Sequence, residues 1–305
     1  MKKIAITGAT GFVGNFVAKY LESQGCQVYR FGRKNREGLI QWDISSGVYQ
    51  NDISFDAVVH CAANVSDWSS YKSAYDTNVT GTKNVLESFS QAPLFIYISS
   101  ASVYDPFCRE KVITETTCVG GSGLNNYGMT KLLGEQEVIK SSIKSRVILR
   151  PHIIYGPGDT TIGPRIKTAI RHNRFIIPGN GENHISFTHV ENLAQGIWQS
   201  ILRSKTGSSI YNITDKESPI FNDAVKSFKR LNGLAFKEVY IPKSISLGIG
   251  YILQSIYLLF RIKKAPPLTP YIVRQMTSDH ILDISKAVSE LGYSPTKRYD
   301  TDFYI

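Results

Sequence analysis

Residues 3–14 read KIAITGATGFVG, a short β-branched apolar run that ends in three glycines, Gly8, Gly11 and Gly14, each three positions after the last. The run predicts a strand and residues 12–23 an amphipathic helix, so the glycines fall on the turn between them. There they let the backbone turn tightly and approach a pyrophosphate, whose charge is met by amide groups and the positive end of the helix. The basic start is not a secretion signal, because Thr7, Gly8 and Gly11 interrupt the apolar stretch, and the N-terminus reads as mature.

Beyond that turn, apolar runs (QVYRF, LIQW, DAVVHCAA, LFIYISS) alternate with longer amphipathic segments, notably residues 73–91 and 125–142. Such alternation is the mark of βαβ units and a parallel sheet. VVHCAA lacks polar alternation, as a strand covered on both faces should. RVILRP follows, with Pro151 ending regular pairing. Turn-rich YGPGD, PGNGEN and KAPPLTP then break up the second half. The expected fold is α/β, a Rossmann-type doubly wound parallel sheet over residues 1–160. Residues 161–305 form a smaller C-terminal, mainly substrate-binding region, with some segments returning to the first.

The 305 residues are 42% hydrophobic and 20% charged, which supports a large core and excludes a disordered chain. The net charge of +10 favours phosphate-bearing ligands, nucleic acid or an anionic membrane. Lys and Arg are scattered and no nucleic-acid motif is present, so nucleic acid is not an expected partner. Cys26, Cys61, Cys108 and Cys118 show neither a Cys-x-x-Cys pair nor zinc spacing, which fits a reducing compartment, by default the cytoplasm. His184 and His189 lack metal-site spacing, and no metal is expected. Residues 245–260 are apolar but interrupted by Ser246, Gly248, Gly250, Gln254 and Ser255, and fall short of the ~20 residues of a spanning helix. Their default use is packing against the core; a partner's helix, or a membrane surface met by Arg261, Lys263 and Lys264, are the other outlets.

YGMTK sets Tyr127 and Lys131 four apart, on one face of a helix. A phenol of pKa ~10 is a poor base at neutral pH, and a nearby ammonium favours its phenolate. A group to hold a substrate oxygen is supplied by ISSASVY, where the fifth strand ends at the ligand-binding edge of such sheets.

Taken together, the Gly-x-x-Gly-x-x-Gly turn, the serine-rich strand end and Tyr-x-x-x-Lys resemble the extended or atypical short-chain dehydrogenase/reductase superfamily, the NAD-dependent epimerase/dehydratase family. The resemblance runs the whole chain, with its specific motifs in the first 160 residues. It implies bound NADP or NAD and a catalytic Ser100, Tyr127 and Lys131, with Ser99 and Ser102 supporting and Lys131 also holding the nicotinamide ribose. Cofactor contacts implied are Gly8, Thr10, Gly11, Phe12, Val13 and Gly14 at the first turn, Asp43 and Ile44 at the adenine, Ala62 and Ala63 on the fourth strand's end, Asn78, Pro151 and Ile153. Asp43 has the alternative of capping a turn, and Asn78 that of a structural hydrogen-bonding role. His60 and Cys61 read as packed structural residues. Where NAD-preferring members place an acid after the second strand, FGRKN has Gly32, followed by Arg33 and Lys34. A guanidinium there pairs with a 2′-phosphate, so NADP is favoured over NAD.

Two places separate branches of the family. LRPHIIYGPGD puts Ile153 where sugar-nucleotide enzymes resemble one another in an asparagine, and GNGENHISFTHVENLA puts Ile185 and Ser186 where they carry Arg-Asp; Arg165 or Arg171 would have to compensate. HCAANVSDW and DISKAVSELGYSP resemble the 3β-hydroxysteroid-dehydrogenase-like reductases. The expectation is an NADP-preferring oxidoreductase acting on a secondary alcohol or ketone of a small apolar molecule. Its rivals are a nucleotide-sugar 4-epimerase or dehydratase that retains NAD, and a non-catalytic NADP sensor. The resemblance also implies a homodimer through the helices that follow Ser73 and contain Tyr127.

Overall fold

A computed structural model describes residues 1–50, 52–108 and 110–304. The first half runs β1 (Lys3–Thr7), α1 (Phe12–Ser23), β2 (Gln27–Gly32), β3 (Ile40–Gln41), β4 (Ala57–His60), α2 (Tyr71–Tyr75), α3 (Gly81–Ser88), β5 (Leu94–Ile98), β6 (Val112–Ile113), α4 (Asn126–Lys140) and β7 (Ser145–Pro151). There follow β8 (Ile153–Tyr155), α5 (Ile162–Ala169), β9 (Arg174–Pro178), β10 (Phe187–His189), α6 (Val190–Arg203) and β11 (Gly207–Ile213). The chain closes with α7 (Phe221–Leu231), β12 (Lys237–Ile241), α8 (Lys243–Leu259), α9 (Pro270–Thr277), β13 (Ile281–Leu282), α10 (Ser285–Leu291) and α11 (Tyr299–Asp302).

Seven strands form one parallel sheet in the order β11-β7-β5-β4-β1-β2-β3. The chain leaves β1 towards β2 and β3, then returns to β4 on β1's other side, so the topological switch point lies between β1 and β4. Ligands bind in the crevice this reversal opens at the strands' C-terminal ends. Every residue of β4 and β5 is buried, the burial expected of strands covered on both faces. Alternation sends Ile4 and Ile6 to one core with Val17, Leu21 and Ile197, while Ala5 joins Phe31, Phe55, Phe89 and Tyr97 in the other. β11 and α6 come from the second half, where β11 extends the sheet's edge and α6 packs on α1. The smaller body holds Tyr155, Phe187, Phe228 and Phe303 in a core of its own.

Two elements depart from expectation. Residues 73–91 are not one helix: a π-helical turn over residues 76–80 separates α2 from α3, and its extra residue per turn carries Asn78 into the interior. Residues 245–260 do not pack an apolar face on the core. α8 instead buries only Ser246 and Gly250, because α9 comes so close that a Cβ at Gly250 would lie 3.0 Å from the Pro270 nitrogen. Leu247, Leu253 and Tyr257 are half-buried, and the other large apolar side chains of the segment are left outside. Among the described residues, no helix is long and apolar enough to cross a membrane.

Candidate active site

The glycine turn is shaped by what it touches. Gly8 has φ +69°, and a Cβ there would fall 2.6 Å from the Ala62 nitrogen at the end of β4. One at Gly14 would fall 2.3 Å from the Gly8 carbonyl oxygen. Gly11 caps α1 in extended conformation with no side-chain cap, and the first turn holds no acid, which leaves its amide groups for an anion. This cradle fits a dinucleotide's pyrophosphate. Gly32 faces Thr10 and Leu39, where any side chain would begin 3.2 Å from both, while Arg33 and Lys34 beyond it are exposed.

From the cradle, hydrogen bonds run inward. The Ala62 amide donates to the Thr7 hydroxyl at 3.4 Å, and that hydroxyl lies 2.6 Å from His60 Nδ1. His60 Nε2 lies 3.1 Å from the Thr82 hydroxyl, whose proton goes to the Asn78 carbonyl at 2.7 Å. The network therefore assigns a neutral His60 protonated on Nε2. Burial agrees, pushing the imidazole pKa down to about 3. The Asn78 side chain accepts from the Asn64 amide at 2.7 Å and donates to the Asn64 carbonyl and the Thr130 hydroxyl. Asp43 caps a turn, accepting from the Ser45 amide and hydroxyl, and these bonds hold its carboxyl below the ordinary range with help from Arg33. Ile44 is buried beside Gly81, Ala62 and Ala63 are half-buried, and Pro151 closes β7. Ile153 pairs with Phe187 and packs into the smaller body's core.

At the end of β5, Ser100 caps a short turn, its hydroxyl accepting from the Ser102 amide at 3.1 Å. Asn125 caps α4 by accepting from the Gly128 amide at 2.8 Å. Gly128 then lets this first turn press against the serine turn, since a Cβ there would meet the Ser102 carbonyl oxygen at 2.3 Å. Tyr127 is thereby set beside Ser100. Burial pushes the phenol up to about 12, the neighbouring Ser100 hydroxyl opposes this, and Asp67 adds to it.

Lys131 faces the sheet. Its ammonium donates to the Ile98 carbonyl at 2.6 Å and lies 3.9 Å over the Tyr97 ring. Burial pulls its pKa down to about 7 against the opposing charges of Glu135 and Cys61. Its hydrogen bond is thus to the end of β5 rather than to the Tyr127 phenol.

Four residues escaped the sequence reading. Glu135, one turn beyond Lys131, accepts from Ser99 at 2.5 Å and from both Arg150 Nε and a terminal guanidinium nitrogen at 2.9 and 2.6 Å, fully buried. The four-residue spacing from Lys131 was a signal for it; Arg150 had none. Tyr271 at the start of α9 donates to the Ser102 hydroxyl at 3.2 Å, and Asp67 pairs with Arg165 at 2.9 Å beside the tyrosines. Only tertiary packing brings these in.

The profile of the NAD dependent epimerase/dehydratase family matches residues 4–214. A 2-alkyl-3-oxoalkanoate reductase of Stenotrophomonas maltophilia (strain K279a) is 28% identical over 96% of this chain and 94% of its own. A 3beta-hydroxysteroid-dehydrogenase/decarboxylase, isoform 1, of Arabidopsis thaliana is 32% identical over 79% of this chain and 58% of its own. The crystal structure of UDP-glucuronic acid 4-epimerase from Bacillus cereus with NAD superposes with a TM-score of 0.73 at 22% identity, covering 99% of this chain and 94% of that one, and so shares the fold.

Proposed function

The chain belongs to the NAD dependent epimerase/dehydratase family and is an NAD(P)-dependent enzyme of the extended short-chain type, and from that premise we propose an NADP-preferring oxidoreductase that interconverts a secondary alcohol and a ketone on a small apolar molecule. The observation that carries the proposal is the close packing of the first turn of α4, which carries Tyr127, against the Ser100 turn at the sheet's C-terminal edge, where the glycine cradle also lies. Bound on that cradle, the dinucleotide supplies or accepts the hydride. Ser100 holds the substrate oxygen, and Tyr127, protonated at neutral pH, donates its proton to that oxygen during reduction. Lys131 stabilises the negative charge that then develops on the phenol and binds the nicotinamide ribose.

An apolar substrate is supported by the segment that lacks the Arg-Asp pair of sugar-nucleotide enzymes. Ile185 is buried, and the Ser186 hydroxyl is used internally, accepting from the Leu282 amide at 3.0 Å and bonding Ser218 at 2.7 Å. Neither is free to anchor a nucleotide diphosphate. The reductase and dehydrogenase relatives support the same branch. Exposed Arg33 and Lys34 after Gly32 support NADP. Four free cysteines support a reducing, cytoplasmic setting, and a homodimer through α3 and α4 completes the proposal.

The test is to denature the purified protein, identify any released dinucleotide, and titrate NADPH and NADH into cofactor-free protein. Expected is an empty protein binding NADPH at least about tenfold tighter, a gap of roughly 1.4 kcal/mol. Stoichiometric retained NAD overturns the proposal in favour of a nucleotide-sugar 4-epimerase or dehydratase.

A further inference from the structure

On the side of α8 away from α9, Ile245, Ile249, Ile252, Ile256 and Leu259 follow one another at intervals of four, three, four and three residues and so form one stripe along the helix. Their exposures run from 39% to 77%, and Phe260 extends the stripe at 70%. A continuous apolar face of this kind marks an interaction surface. Charge identifies the occupant. Residues 239–278 contain no Asp or Glu, while Lys243 stands at the start of the helix and Arg261, Lys263 and Lys264 just beyond its end, all exposed. A second copy laid on this face would set those cations against their own kind. An anionic lipid surface instead accepts the apolar stripe among its acyl chains and the cations at its headgroups.

We propose that α8 is an interfacial helix that seats the protein on an anionic bilayer without crossing it. The helix is tied to the site: the Trp68 indole N–H donates to the Ile262 carbonyl at 3.1 Å, and its ring meets Tyr257 edge-on at 6.3 Å. The neighbouring Asp67 pairs with Arg165 and raises the Tyr127 pKa. Docking through α8 therefore sets the active-site loop at the lipid boundary, where an apolar substrate is concentrated. That last consequence rests on the proposed substrate class; the docking does not.

The test is flotation of the full-length protein with phosphatidylcholine vesicles, with and without phosphatidylglycerol. Expected is at least about tenfold more protein on the anionic vesicles, and loss of that preference at high salt. Ile252→Glu/Leu259→Glu abolishes binding and Lys263→Glu/Lys264→Glu removes the preference for phosphatidylglycerol, while both variants keep the wild-type melting temperature and NADPH affinity. Wild-type protein that stays free of phosphatidylglycerol vesicles overturns the inference. So does light scattering that shows a dimer converted to monomer by Ile252→Glu/Leu259→Glu, since a second copy is then the occupant. Neither readout needs turnover, so failure here is distinct from failure of the oxidoreductase assignment.

Discussion

At the scale of single residues, the site separates a proton donor from the charge that assists it. Tyr127 sits against Ser100 with its pKa pushed up to about 12, so it carries its proton through the neutral range. Tyr127→Phe removes only a hydroxyl, and kcat for ketone reduction is expected to fall by about 10²–10⁴-fold with NADPH affinity and Tm retained. Stopped-flow hydride transfer together with fluorescence titration checks this, and a variant with wild-type kcat removes Tyr127 from the chemistry. Arg33 carries a second prediction. Its exposed guanidinium follows a glycine where other members place an acid, so Arg33→Ala should weaken NADPH at least about tenfold and leave NADH unchanged. Calorimetric titration of both nucleotides decides it; equal losses for the two deny Arg33 a role at the 2′-phosphate.

At the scale of elements, α4 lays Tyr127, Lys131 and Glu135 along one face, and Glu135 locks that face to β7 through Arg150. Both partners of this pair are all but inaccessible, at 3% and 2% side-chain exposure. Arg150→Met therefore strands a buried carboxylate and should cost about 3–5 kcal/mol in urea unfolding, whereas Glu135→Leu/Arg150→Met should recover most of it. A double variant no more stable than the single one shows that the Ser99 bond or the packing of Arg150 on Tyr104 dominates instead. The sequence made Tyr127 and Lys131 legible because their spacing is local, and α1 likewise, because its glycine start and apolar period lie within a few residues. The π turn that turns Asn78 inward was not legible, since one extra residue per turn leaves the apolar pattern of 73–91 almost unchanged. Nor was the facing of α8: its apolar content suggested a buried helix, but only small residues fit against Pro270, a contact 20 residues away in the chain. Tyr271 reaches Ser102 across 169 positions, with no local pattern to announce it.

For the whole molecule, alternation and the glycine turn sufficed to foresee the parallel sheet and its binding edge, while the smaller body's strand pairs depend on contacts that no short window contains. The folded chain also has a collective property, its response to pH. Burial holds His60 at about 3, His189 at about 4 and His280 at about 3, so folding keeps all three neutral. Below the ordinary histidine value of 6.5 the unfolded chain takes up three protons that the folded chain refuses, and stability falls as the pH falls. Asp215 acts the other way: burial raises it from 3.8 to about 6, so the folded form binds one proton that the unfolded form does not. His152, which burial also lowers, sides with the three histidines, so the balance stays with the loss and stability falls as the pH falls through the histidine range. Above neutrality Lys131, lowered to about 7, adds stability as the unfolded lysine loses its proton towards 10.5. Cys61, raised from 9.0 to about 12, and Tyr104, Tyr127 and Tyr211, each raised from 10.0 to about 12, reverse the trend from about pH 9, where the unfolded thiol and phenols ionise first. Urea unfolding from acid to alkaline pH should therefore show an optimum near pH ~9, on the alkaline side of the usual range. A maximum at or below pH ~6 means that these histidines are protonated in the folded protein, and with that the neutral His60 link between the glycine cradle and Asn78 is lost.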